Sequence, residues 1–260
     1  MFLSIVIPSF NEGRRLPKLL ENLRKYLLEH PEHLGAQIEI LIIEDGSRPE
    51  DQHRVADAIE DTLRILFQNS SNPQIKITQH ALSHNQGKGA ALEFGFQKAT
   101  GDWIGFMDAD GSTQMSSLGD LLLYLKTNPN FDAILGARIL MLGKLIKRKS
   151  SRHYVGRIFA TLFYWLFKIP SYDTQCGFKF FRRSKVLPLL TQIQDKGWVW
   201  DTQLIVLSFY AGLKMREFTV DWAEEAGSKV SLLRDPMRMF YALLKFRSTI
   251  RKKQESTFFS

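Results

Sequence analysis

Five short strand-like runs, 2–7, 38–43, 75–81, 103–107 and 133–137, punctuate the first 137 residues, and helical spacing fills the gaps between them. Most of these runs are almost unbroken in apolar residues, the mark of strands covered on both faces. Leu16, Leu19, Leu20, Leu23 and Leu27 recur at helical intervals, as do Val55, Ile59 and Leu63. A helix over 87–100 is stopped by Gly101, and another falls near 118–125. Strands alternating with helices specify an α/β chain with a mostly parallel central sheet flanked by helices. Ligands of such sheets bind beyond the carboxyl ends of the strands. The polar clusters fall there: Asn11 and Glu12 follow the first run, Glu44 and Asp45 end the second, and Asp108 and Asp110 follow the fourth.

After Arg138 the chain changes character. No Asp or Glu occurs from Ala133 to Tyr172, whereas Arg138, Lys144, Lys147, Arg148, Lys149, Arg152 and Arg157 cluster there. An aromatic helix follows over 154–167. Then come a short strand around 178–181, a helix after Asp201, a strand near 214–220, and a basic amphipathic tail from Asp235. The expected division is one large domain over 1–232 and a basic helix over 233–260. The net charge of +8 suits an anionic membrane, a phosphate-rich substrate or nucleic acid. No nucleic-acid recognition motif accompanies it, and the cations lie beside apolar helices, so nucleic acid is not the expected partner. A single cysteine, Cys176, forbids an internal disulfide and fits a reducing, cytoplasmic location. The longest apolar stretch, 158–169, is shorter than a membrane span and contains Lys168. The chain is therefore expected to lie on the cytoplasmic face of a membrane without crossing it. The alternative for both basic helices is packing on the domain itself or on a second copy in a homo-oligomer.

Asp108-Ala109-Asp110 is the sharpest chemical feature. Two carboxylates at i and i+2 across a strand-to-loop bend can converge on one hard divalent cation, Mg²⁺ or Mn²⁺. Such an ion could also neutralise a departing diphosphate. The same tripeptide is compatible with a solvated acidic turn. Glu44-Asp45-Gly46-Ser47 offers acidic groups for a ribose or base, or a simple β-turn. Asn85-Gln86-Gly87-Lys88-Gly89 places Lys88 at a helix start, suited to phosphate. The spacing is neither a Walker loop nor a dinucleotide fingerprint, because Leu82, Gly89 and Leu92 stand at defining positions. The histidines show no metal-ligand spacing.

Taken in order, Ile5-Val6-Ile7-Pro8-Ser9-Phe10-Asn11-Glu12, Glu44-Asp45-Gly46-Ser47, Gly87-Lys88-Gly89-Ala90-Ala91, Ala99-Thr100-Gly101-Asp102 and Asp108-Ala109-Asp110-Gly111 resemble glycosyltransferase family 2. Gly136-Ala137-Arg138, the run Asp173 to Phe181, Trp200-Asp201 and Gly227-Ser228-Lys229 are similar to the dolichyl-phosphate glucosyltransferase and mannose synthase branch. The resemblance spans about residues 2–232. It implies a GT-A fold and a nucleotide-sugar donor, UDP-glucose ahead of GDP-mannose. It further implies a dolichyl or polyprenyl phosphate acceptor. Pro8, Asn11, Glu12 and Asp45 would line the nucleotide pocket, and Asp108 and Asp110 would hold metal and diphosphate. Arg138, Arg152 and Lys229 would face phosphates. Asp201 would be a general base or would position the acceptor. It fits a first-turn helix carboxylate equally well.

Two departures stand out. Glu44 replaces the usual Asp, and Gly111-Ser112-Thr113 follows the metal motif where mannose synthases often carry Gln or His. The eukaryotic glucosyl members also carry an N-terminal anchor, which is not expected in this sequence. An ionised lipid phosphate needs no strong base, and in-line attack would invert the anomeric centre. A hydroxyl acceptor would need Asp201 as a true base. A catalytically silent sugar-nucleotide-binding scaffold is the non-enzymatic alternative.

Overall fold

The computed structural model describes residues 2–33, 35–70, 74–139, 141–147, 150–225 and 234–258. Side chains are described for these except 150–153, 155, 234–236 and 252–258. In chain order the elements are β1 (Phe2–Ser9), α1 (Leu16–Glu29), β2 (Gln37–Asp45), α2 (Pro49–Asn69), β3 (Ile75–Leu82), α3 (Lys88–Lys98), β4 (Trp103–Met107), α4 (Ser116–Thr127), β5 (Ala133–Ala137), β6 (Ile146–Lys147), α5 (Ser150–Phe167), β7 (Phe178–Arg182), α6 (Arg183–Leu190), α7 (Trp200–Tyr210), β8 (Met215–Thr219), β9 (Trp222–Ala223) and α8 (Arg234–Phe258). A 3₁₀ turn, Pro31–His33, follows α1. The β4 and β5 bounds match the sequence expectation, and the other expected strands and helices fall within a few residues of theirs.

The main sheet runs β3-β2-β1-β4-β7-β5-β8. The pairs β3-β2, β2-β1, β1-β4 and β5-β8 are parallel. β7 lies antiparallel to both β4 and β5. The expected α/β class with a mostly parallel sheet is therefore observed. Sequence pattern placed a strand at β7 but gave no sign that it inserts between β4 and β5 against their direction. β6 and β9 form a separate parallel pair, which was not expected.

Alternation along β1 divides the interior. Leu3, Ile5 and Ile7 face a layer built with α1, α2 and α4, while Val6 faces a layer built with α3, α5, α6, α7 and α8. The five leucines of α1 are all buried, as their spacing requires. α8 contributes Met239, Leu243 and Phe246 to the second layer, with Phe246 against Phe167 of α5. The outer faces stay apolar: Tyr154, Ile158 and Trp165 on α5, and Met237 and Tyr241 on α8, are exposed. Among the described residues, no helix is long and apolar enough to cross a membrane.

The strand order reverses at β1. β2 and β3 extend the sheet to one side, and β4 joins on the other. The crevice at such a switch point is where a parallel sheet presents its ligand-binding loops. The segments after β1 and β4 are the ones that carry Asn11, Glu12, Asp108 and Asp110.

Candidate active site

Three loops at the carboxyl ends of β1, β2 and β3 are stitched together by side chains. Asn11 takes a left-handed backbone, φ 52°. Its N–H donates to Ser47 Oγ at 2.9 Å, and its Oδ1 accepts from the Arg48 N–H at 2.9 Å. Asp45 accepts from the N–H groups of Gln86 and Gly87 at 2.7 and 2.9 Å, which fixes the turn ahead of α3. Gly87 has φ 103°, and a Cβ there would stand 2.4 Å from the Lys196 carbonyl. The turn thus delivers Lys88 to the mouth of the crevice.

A cavity of about 510 Å³ opens there, of the size small-ligand sites occupy. Pro8, Glu12, Asp45, Lys88, Asp108 and Asp110 line it. Lys88 Nζ donates to Asp108 Oδ1 at 2.6 Å. Burial works against the Asp108 charge, yet Lys88, Lys179 and Arg138 hold its carboxyl below the usual carboxylate range. Asp110 goes the other way: burial and the neighbouring Asp108 charge push its carboxyl up, although the Ser112 N–H donates to it at 2.9 Å. Two carboxylates in electrostatic contact on one wall, one of them raised by its neighbour, supply the hard oxygen donors that Mg²⁺ or Mn²⁺ prefers. The residues fit such an ion. Close packing requires the glycine behind them, because a Cβ on Gly177 would stand 1.9 Å from Asp108 Oδ2.

Other expected residues are placed differently. Glu44 is fully buried, accepts from Ser47 Oγ at 2.5 Å and Gln79 Nε2 at 3.3 Å, and does not line the cavity. The chain folds this way because Glu44 and Asp45 alternate on β2, so only one can face the crevice. Asn11 ties two loops and is likewise absent from the lining. Arg138 is forked onto Asp173, with Nε and Nη2 at 2.6 and 2.8 Å, and stacks on Trp222 with its Cζ 5.3 Å from the ring centre. Asp201 opens α7 but accepts a hydrogen bond from Lys179 Nζ, a lysine wholly buried on β7. The start of α3 is partly occupied by protein, since the Ala90 N–H donates to the Lys196 carbonyl at 3.1 Å. Lys229 lies outside the described residues, as does the side chain of Arg152.

Sequence reasoning missed four contributors. Arg15 lines the cavity, forked onto Glu12 at 2.5 and 2.6 Å, and that contact raises its pKa. Trp198 lines it too, with its ring 5.5 Å from Lys88 Nζ. Gly177 and Lys179 act from behind. Lys179 left a signal: a lone lysine between phenylalanines in a strand whose neighbours are all apolar. The histidine reading also needs correction, since His30, Glu32 and His33 bring ligand atoms within 4.8 Å of one another.

The Glycosyl transferase family 2 profile matches residues 4–188, and the chain belongs to that family. With its GT-A fold it is a glycosyltransferase. Its relatives include the dolichyl-phosphate beta-glucosyltransferase of Saccharomyces cerevisiae, 31% identical over 260 residues, covering 95% of this chain and 74% of the yeast protein. The Homo sapiens enzyme of that name is 29% identical over 237 residues, covering 88% of this chain and 69% of the human one. Among solved structures, glucosyl-3-phosphoglycerate synthase from Mycobacterium tuberculosis, in complex with Mn²⁺, UDP and glucosyl-3-phosphoglycerate, superposes with a TM-score of 0.65. That match covers 95% of this chain and 79% of the synthase at 16% identity, a likeness of fold.

Proposed function

We propose that the protein transfers glucose, with inversion, from UDP-glucose to a dolichyl or polyprenyl phosphate at the cytoplasmic face of a membrane. The observation that carries the acceptor class is the engagement of Asp201 by Lys179. A carboxylate bonded to a buried ammonium and absent from the cavity lining is not placed to take a proton from the acceptor, so an acceptor that arrives ionised suits the site. A phosphate monoester meets that need, with a second pKa of about 6. Of the four carboxylates on the cavity wall, Glu12 is committed to Arg15, Asp45 to two backbone N–H groups and Asp108 to Lys88, while Asp110 is assigned to the metal beside Asp108. The relatives named for dolichyl-phosphate glucosyl transfer support the same acceptor.

In this reading Pro8, Glu12 and Asp45 border the nucleoside, with Asn11 and Glu44 shaping its loops from behind. Asp108 and Asp110 hold Mg²⁺ or Mn²⁺, and such an ion supplies neutralisation of the diphosphate. Lys88 and Arg15 add fixed positive charge beside the leaving group, where preorganised cations are most effective. Arg138, Arg152 and Lys229 serve the acceptor phosphate. The attacking oxygen approaches from the face opposite the diphosphate, which converts an α-linked donor into a β-linked product. The unit over 1–232 carries this chemistry. The segment over 233–260, through α8, joins α5 in presenting aromatic and basic residues to anionic lipid.

The test is direct. Purified protein is given polyprenyl phosphate, Mg²⁺ or Mn²⁺, and a panel of labelled UDP- and GDP-sugars, and label is counted in the organic phase. UDP-glucose should give label that Asp110→Ala abolishes. No organic-phase label from any donor overturns the reading.

A further inference from the structure

We propose a second metal site, for a borderline divalent ion such as Zn²⁺, at His30, Glu32 and His33 beyond the C-terminal end of α1. It is independent of the reading above. One ligand atom from each residue lies within 4.8 Å of the others. His30 Nδ1 is 3.2 Å and His33 Nε2 3.8 Å from the same Glu32 Oε1. Tetrahedral coordination with bonds of about 2.0–2.1 Å places donors about 3.3 Å apart. Small side-chain rotations therefore close the set on one ion, with a fourth position left for water.

The scaffold is rigid where a chelate needs it. The His30 N–H donates to the Tyr26 carbonyl at 2.9 Å, ending the helix, and the His33 N–H donates to the His30 carbonyl at 3.0 Å, closing the turn that Pro31 begins. The His33 ring stacks on Tyr26, with centroids 5.8 Å apart and planes 12° apart. Gly119 lets Tyr26 and His33 pack closely on α4, since a Cβ there would stand 2.9 Å from His33 Nε2 and 1.9 Å from Tyr26 Oη. The last carbonyls of α1 add a favourable field for a cation.

Two imidazoles and one carboxylate suit Zn²⁺, Co²⁺ or Ni²⁺ and disfavour Mg²⁺, the opposite preference to the Asp108/Asp110 pair. The two sites also stand apart. α1 begins beside the candidate active site and runs 14 residues, about 21 Å, to this end. An ion here would clip the end of α1 to its own turn and, through Tyr26 and His33, to α4. That is a structural role.

The experiment uses the tag-free full chain. Zn²⁺ binding is measured by calorimetry, and Co²⁺ substitution is followed by its visible absorption. The expected result is one high-affinity Zn²⁺ per chain, a tetrahedral Co²⁺ spectrum, and a higher melting temperature with Zn²⁺ than with Mg²⁺. E32Q and H33Q should each weaken Zn²⁺ by at least about tenfold, the scale on which ligand-sphere changes act. Glu32 is exposed, so E32Q leaves packing untouched and decides the matter if H33Q fails to fold. Full affinity in E32Q, or a loss produced by D108A/D110A instead, overturns the proposal.

Discussion

Replacing Asp201 with Asn removes the carboxylate bonded to Lys179 in a place closed to water, and leaves Asp108 as a counter-charge acting only through space. Lys179 keeps a hydrogen bond to the Thr174 carbonyl at 2.8 Å and sits 5.3 Å from the Phe106 ring centre. Neither neutralises it. Breaking one side of a buried pair costs about 3–5 kcal/mol. An unfolding entropy of about 2.1 cal/mol/K per residue over 260 residues makes that a fall in Tm of about 5–9 °C. K179M should cost a similar amount. K179M/D201N carries no charge at this pair and should melt above either single variant, which requires a coupling energy larger than the cost of one of them, at least about 3 kcal/mol. Urea and thermal denaturation of the four proteins measure this cycle. Turnover is read on the same samples with polyprenyl phosphate. Loss of a general base costs about 10²- to 10⁴-fold in rate. If Asp201 is a counterion, the double variant keeps kcat within about tenfold of K179M, which already carries the loss of Lys179 beside Asp108. The reasoning fails if Asp201→Asn melts with the parent, or if the double variant shows the full loss expected of a missing base.

Asp110→Asn should abolish turnover yet raise the melting temperature of the metal-free protein at neutral pH. The native carboxyl is pushed up by burial and by Asp108, so its charged form destabilises the fold. The advantage vanishes in acid, because that penalty disappears as pH falls through the raised pKa. Divalent binding, which needs the charged form, weakens over the same interval and is measured by titrating Mn²⁺ at several pH values. Gly177→Ala should displace the Asp108 carboxylate, since the new methyl would stand 1.9 Å from Oδ2, and cost roughly 10²-fold in kcat/KM. Unchanged kinetics would show that the carboxylate position is not critical. W165A/Y241A removes two exposed aromatic rings and should reduce sedimentation with anionic vesicles while leaving the melting temperature within about 2 °C.

Much of this protein is written in local pattern. The runs that became β1, β2, β4 and β5 are apolar because both faces of the sheet are covered, so composition alone marks them. The carboxylates at their ends stand out for the same reason: charge is tolerated only where the strand leaves the interior. Asp108, Asp110, Glu12, Asp45 and Lys88 were therefore legible as cavity residues before any coordinates. What could not be read was every choice between two partners distant in sequence. Glu44 and Asp45 look alike in a motif, and only the β2 pairing turns one inward. Arg138, expected to face a phosphate, and Asp201, expected to act as a base or to position the acceptor, give no local sign that folding brings Asp173 and Lys179 against them, 35 and 22 residues away along the chain. The reversed insertion of β7, which delivers Lys179 and follows Gly177, depends on strand pairing alone, because an antiparallel strand buried on both faces carries the same apolar signature as a parallel one. Local sequence thus specified which side chains are polar at the ends of the strands, and tertiary contact decided which partner each of those charges meets.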